Sequence, residues 1–270
     1  MNPRDLETVR SAGFPYSEDL IQLFVGGSEL HGAKLAGTDD HDIYGVYIEP
    51  PAVALGLDSD EHFVWSTASQ HTRNTALDVD VTLYSLRKWA RLACKGNPTC
   101  LHFLFVGHDP VTSWSSIVER RELFLSRLCL KQFLGFADDQ LKRLTGEKGR
   151  GKKGQRPELE ASHGYDTKAG FHTIRLLHEC KELMETGRIS LPRPEKELLI
   201  DIRQGAWSME RLIREANALF LACTEAEKAS PLRPAVDRNA VSKLIAETYQ
   251  EHWSRAGGRV SSCGEPREKQ

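Results

Sequence analysis

Residues 21–50, IQLFVGGSELHGAKLAGTDDHDIYGVYIEP, set three aspartates between two apolar runs, and this arrangement restricts the fold more than any other stretch of the chain. The run IQLFV ends on Gly26 and Gly27 and reads as a buried strand closing on a tight turn. SELHGAKLAG reads as a short helix, with Ser28 as its N-cap and Gly37 as its stop. DIYGVYIEP is rich in β-branched and aromatic residues and closes on Pro50 and Pro51, which predicts a second strand. Carboxylates repel one another and are costly to bury unpaired. A chain that sets Asp39, Asp40 and Asp42 beside buried strands therefore needs positive charge at that point.

The rest of the chain supplies the frame. VALGLDSDEHFVWST reads as a loop with a small strand. ALDVDVTLYSLRKWARLACKG starts with strand alternation at Val79, Val81 and Leu83, then changes to helical spacing from Ser85 and stops at Gly96. A helix follows NPT, and residues 115–144 keep helical spacing throughout. Further helices are predicted over 163–187, ending near Gly187, and around 194–222 and 237–255. The fold class is therefore α+β, a mixed sheet with flanking helices followed by an all-helical C-terminal region. The expected division is a first domain over 1–128, a helical domain over 129–256 and a disordered tail over 257–270.

Composition narrows the function. A net charge of −2 creates no global field toward nucleic acid or anionic lipid, so any such binding needs a local patch. One candidate is KRLTGEKGRGKKGQR, residues 142–156, with seven basic residues, one acidic residue and four glycines. It reads most simply as a solvated loop; its sharper reading is a basic arm for nucleic-acid phosphates. The opening segment lacks the layout of a signal peptide, and no apolar run reaches the roughly 18 residues of a membrane span. The expectation is a cytoplasmic protein without membrane contact. The six cysteines show no CxxC pairing and read as reduced thiols rather than a zinc site.

Asp40 and Asp42, two apart on a predicted strand, project from one face and form a natural seat for Mg²⁺ or Mn²⁺. Asp80, flanked by valines, offers a third carboxylate from another strand. Gly26, Gly27 and Ser28 open a helix, where the backbone can approach a phosphate closely. Two cations on three carboxylates suit an in-line displacement at phosphorus. A calcium loop fails because Tyr44 stands where an oxygen ligand belongs. A phosphatase of the haloacid dehalogenase type fails because DDHDIYG lacks the required Thr or Val.

The order of glycine-serine turn, short helix, Asp-x-Asp strand and later acidic strand resembles the DNA polymerase beta nucleotidyltransferase superfamily. More narrowly, GGSELHG, TDDHDIYGVYIEP, DVDVTLYSLRKWARLACKGNPTCLHFLF and HGYDTKAGFHTIRLLHECKELMETGRISLP resemble the RNA repair pathway DNA polymerase beta family. That resemblance implies a nucleotidyltransferase-type sheet, with Gly27 and Ser28 holding the triphosphate of a nucleoside triphosphate. It implies that Asp40 and Asp42 ligate both metals and that Asp80 completes one of them, with Asp78 its rival for that place. Asp39, on the opposite face, reads as a turn or cap residue. The implied acceptor is a hydroxyl, with an RNA 3′ end favoured by the basic stretch and a protein or small molecule as alternatives.

One departure is His102, in TCLHFLF, where such proteins tend to carry a glutamate. It reads as a packed core histidine, and the missing acid leaves room for a catalytically idle fold that binds nucleic acid or a protein. Lys168, His172 and Arg175 fall at i, i+4 and i+7 on one helix face. They form either a solvated edge beside an apolar stripe or a grip on triphosphate across a cleft from the aspartates. Arg203 is a further candidate cation for that cleft.

Overall fold

The computed structural model describes residues 1–35, 37, 39–57, 60–68, 75, 77–145 and 156–256. Its strands are β1 (Leu20–Val25), β2 (His41–Tyr47), β3 (His62–Ser66) and β4 (Val79–Ser85). They form one mixed sheet in the order β1-β2-β4-β3, with β2 and β4 parallel and both outer pairs antiparallel. The fold class is α+β, as the sequence pattern predicts.

Helices in the first part of the chain are α1 (Pro3–Ser11), α2 (Gly27–Leu30), α3 (Pro51–Ala54), α4 (Leu86–Cys94), α5 (Pro98–His102) and α6 (Trp114–Glu119). Those that follow are α7 (Cys129–Leu144), α8 (Pro157–His163), α9 (Thr167–Thr186), α10 (Lys196–Arg203), α11 (Met209–Lys228) and α12 (Arg238–Ala256). None of the described helices is long and apolar enough to cross a membrane.

Strand alternation divides the sheet into two faces. Ile43, Val81 and Leu83 pack with Val9 and Phe14 beneath α1 in a small core. Tyr44, Val46 and Tyr84 face the helices and join the main core around Trp89, Phe103 and Phe171. Asp42 and Asp80 belong to this helix-facing set. The residue 128 boundary expected from the sequence falls between a 3₁₀ turn at Arg121–Phe124 and α7, and the main core contains side chains from both sides of it. The last helix returns to the sheet. Tyr249 donates to Glu49 Oε2 at 2.6 Å, Trp253 Nε1 donates to the Glu49 carbonyl at 3.0 Å, and His252 Nε2 lies 3.1 Å from Asp19.

Several local expectations need correction. Gly26, not Ser28, caps α2, and the helix ends at Leu30 rather than Gly37. Residues 115–144 are not one helix: Arg120 leaves helical geometry and Leu125 is extended, so that Phe124 and Leu125 turn into the core. The 194–222 segment also divides. Gly205 adopts φ +76° against the His163 ring, and Ser208 then accepts from Arg211 N to cap α11. Both are stop and start signals legible in the sequence. α9 ends at Gly187 as predicted, but it begins at an Asp166 cap rather than at residue 163, which closes α8. Cys100, Cys129, Cys180 and Cys223 are buried free thiols, and Cys94 is a half-buried one. Residues 146–155 of the basic stretch and the whole 257–270 tail lie outside the described residues.

Candidate active site

The parallel pairing of β2 with β4 sets Asp42 directly beside Asp80. Neighbouring strands are about 4.8 Å apart, so two aspartates in register on one face bring their carboxylates together. Asp40 is not on the strand as expected but immediately precedes it. Its carboxylate nevertheless joins the other two, and ligand oxygens of Asp40, Asp42 and Asp80 lie within 4.8 Å of one another. His41 N donates to Asp78 O at 2.9 Å, continuing the pairing to the strand entrance.

The glycine turn lies directly against this cluster. Gly26 N donates to Asp42 O at 2.8 Å, and a Cβ on Gly26 would stand 2.2 Å from the Tyr44 ring. Gly27 adopts φ +58°, and a Cβ there would stand 2.0 Å from Asp42 Oδ2. Only glycine permits that approach. The N–H groups of Gly27 and Ser28 open α2, where no intrahelical acceptor can reach them.

Electrostatics set this cluster apart. Burial, together with the charges of Asp40 and Asp80, pushes the Asp42 carboxyl up to about 6, opposed by Lys168 and His41. Three carboxylates crowded at one point are a donor set suited to a hard divalent cation. Asp40, Asp42 and Asp80 thus fit the metal site their residue types suggest.

The rival carboxylates are engaged elsewhere. Asp78 accepts from Thr67 Oγ1, Thr75 N and Thr75 Oγ1, at 2.9, 2.6 and 2.9 Å, and closes its own turn. Asp39 is buried and accepts from Leu35 N at 2.8 Å, with the Ser28 hydroxyl also donating to it. It is more than a turn residue: Arg203 Nη1 and Nη2 meet its two oxygens at 2.6 and 2.5 Å. Arg203 also donates to Ala33 O at 2.7 Å. Its guanidinium is therefore committed to the loop before β2, a correction to its expected place across the cleft.

The three α9 residues separate in depth. Lys168, at the start of α9, bears on Asp42. His172 is held well below the usual histidine range by burial and by the charges of Arg175 and Lys168, so it stands neutral. Arg175 is buried, and its Nη1 donates to both Glu179 oxygens at 2.8 and 2.9 Å. Glu179 and His31 are polar core residues that sequence reasoning missed. His102 Nε2 lies 3.1 Å from Glu179 Oε2, and His31 Nδ1 lies 3.3 Å from Oε1. Where the resemblance leads one to expect a glutamate, the fold brings the Glu179 carboxylate against His102 from another helix. Burial alone would raise the Glu179 carboxyl, but Arg175, His102 and His31 hold it well below the usual range. This second cluster is charge-balanced by its own arginine.

The sequence profile of the RNA repair pathway DNA polymerase beta family matches residues 6–250. The chain belongs to that family. Its members are nucleotidyltransferases of the polymerase beta superfamily, and the match extends from α1 into α12. A similar chain is the uncharacterized 38.9 kDa protein in the nrdC-mobD intergenic region of Enterobacteria phage T4, 28% identical over 120 residues. That alignment covers 42% of this chain and spans only 35% of the phage protein. A nucleotidyltransferase-like protein from Exiguobacterium sibiricum 255-15 aligns over 95% of this chain and 81% of its own, at 13% identity and a TM-score of 0.28. The glycine-serine turn, the three aspartates and His102 all fall within the matched span.

Proposed function

We propose that this chain is a metal-dependent nucleotidyltransferase that moves a nucleoside monophosphate from a nucleoside triphosphate to the 3′ hydroxyl of an RNA. The observation that carries this reading is the convergence of Asp40, Asp42 and Asp80 beside the Gly26–Gly27 turn. Asp40 and Asp42 would hold Mg²⁺ or Mn²⁺, with Asp80 as the third carboxylate. When bound, such cations supply the positive charge that stabilises attacking and leaving oxygens together.

The protein's own groups do the rest. The N–H groups of Gly27 and Ser28 orient the triphosphate, since the turn brings backbone within reach of whatever sits on Asp42. Lys168 adds positive charge at the cluster's edge. Neutral His172 offers a hydrogen bond to the nucleotide rather than a charge. Arg175 acts from below, as a fixed cation paired with Glu179. The choice of RNA as acceptor rests on the family and on the basic residues over 142–156.

The test is incubation with each α-labelled nucleoside triphosphate, Mg²⁺ or Mn²⁺, and RNA bearing free 3′ hydroxyls, with Asp42→Asn alongside. Label on RNA that vanishes in the variant supports the reading. Label on protein would move the acceptor to polypeptide. Metal-dependent nucleotide binding without any labelled product would overturn transfer itself.

A further inference from the structure

Helices α4 and α12 lie side by side without closing on one another. Small residues occupy the facing positions, Ala90 and Cys94 on α4 and Ser242 and Ala246 on α12, and a cavity of about 490 Å³ remains between them. That volume is in the range of sites that hold small organic molecules. Val241, Ile245 and Trp253 make its walls largely apolar. Leu55, 78% exposed, stands at its rim. The aspartate cluster is remote from it: Asp80 is near the start of β4, and α4 begins where β4 ends.

Charge in this cavity has one sign. Arg87, Arg91 and Arg238 line it, and among the described residues no carboxylate does. Glu61 behind α4 is shared between Arg87, Lys88 and Arg91, so one negative charge serves three positive ones. Arg87 Nε is buried without a hydrogen-bond partner. Among the described residues, no carboxylate lies within ion-pair distance of Arg238. An apolar slot rimmed by surplus guanidinium groups matches a ligand with an apolar body and an anionic head. A polynucleotide is a poorer match, because base edges need polar partners and the lining offers few beyond Ser242 and Gln250.

We propose that the cavity between α4 and α12 binds a small amphiphilic anion, an aliphatic or aromatic body carrying one oxyanion head. The body lies between Ala90 and Ala246, and the head meets Arg87 and Arg238. The site is independent of nucleotide transfer and is tested without it.

The probe is anilinonaphthalene sulfonate, titrated by fluorescence into the full chain, with neutral phenylnaphthylamine as the uncharged control and dodecanoate as competitor. One sulfonate probe binds per chain, the neutral dye binds at least about tenfold more weakly, and dodecanoate displaces the probe. Arg238→Gln, at an exposed position, weakens the sulfonate about tenfold and leaves the neutral dye unchanged. Ala246→Leu, also exposed, fills the slot and removes both dyes while thermal melting stays cooperative. Unchanged binding in Ala246→Leu, equal affinity for both dyes, or displacement by an RNA oligonucleotide but not by dodecanoate would overturn the proposal.

Discussion

Arg203, on α10, grips both carboxylate oxygens of Asp39, and the next residue is Asp40. A helix from the C-terminal part of the chain thus fixes the backbone that presents a candidate metal ligand. The same arginine holds Ala33 O, and Arg193 N donates to His31 O at 3.2 Å, so both ends of the 31–39 loop are fastened to the helical side.

Removing that grip leaves a buried carboxylate unpaired. Arg203→Ala is expected to cost about 3–5 kcal/mol in denaturant unfolding. Arg203→Lys recovers only part of this, because an ammonium cannot fork onto two oxygens. A loss below about 1 kcal/mol in the alanine variant would contradict the assigned role.

Asp42 gives a pH signature of the opposite sign to an ion-paired aspartate. Its folded-state value of about 6 lies above its ordinary 3.8, so its contribution is fully present below pH 3.8 and lost as pH rises through 6. Asp42→Asn is therefore expected to stabilise the cation-free protein by about 3 kcal/mol at pH 7 and by nothing at pH 3.5. Paired melts of wild type and variant across that range measure the difference.

Divalent cations reverse that balance. Millimolar Mn²⁺ raises the melting temperature of the wild type, because a ligand that binds only the folded state stabilises it by mass action. Asp42→Asn and Asp80→Asn lose that rise. Calorimetry at pH 5.5 should record proton release on Mn²⁺ binding to wild type, since the cation displaces a proton from Asp42.

Gly27→Ala places a side chain where φ is +58° and Asp42 Oδ2 already stands. The backbone penalty is about 1–2 kcal/mol, and the carboxylate must move aside. Weaker Mn²⁺ binding with the fold retained, followed by paramagnetic titration, is the expected result.

His102→Glu puts in the residue type that the resemblance led one to expect, yet here it destabilises. The new carboxylate would face Glu179, which lies 3.1 Å from the present imidazole nitrogen and whose arginine partner, Arg175, is already engaged. Adding Glu179→Gln to that variant removes the repulsion and recovers most of the melting temperature.

Local patterns carried much of this molecule. β1 is legible as an apolar run, β2 from its β-branched and aromatic residues, β4 from alternation and the end of α9 from Gly187, because these signals lie within a few residues of what they govern. The aspartate cluster was legible in its residue types, although the in-register pairing of Asp42 with Asp80 belongs to the sheet. The pairing of Asp39 with Arg203 spans 164 positions, and that of His102 with Glu179 spans 77, with nothing local to mark either. Helical spacing also put Lys168 and Arg175 on one face without their depth. Seven residues of helix is about 10 Å, enough to leave one at the cleft and the other in the core.

The return of α12 to the sheet bears on how the chain is made. Glu49 is fully buried, and its donors Tyr249 and Trp253 lie some 200 positions later. On the ribosome, both strands of the aspartate site emerge long before the helix that carries the donors to Glu49. The front of the protein must therefore wait, exposed and incomplete, until translation has passed residue 253, and nascent-chain holdases have that whole interval in which to engage it.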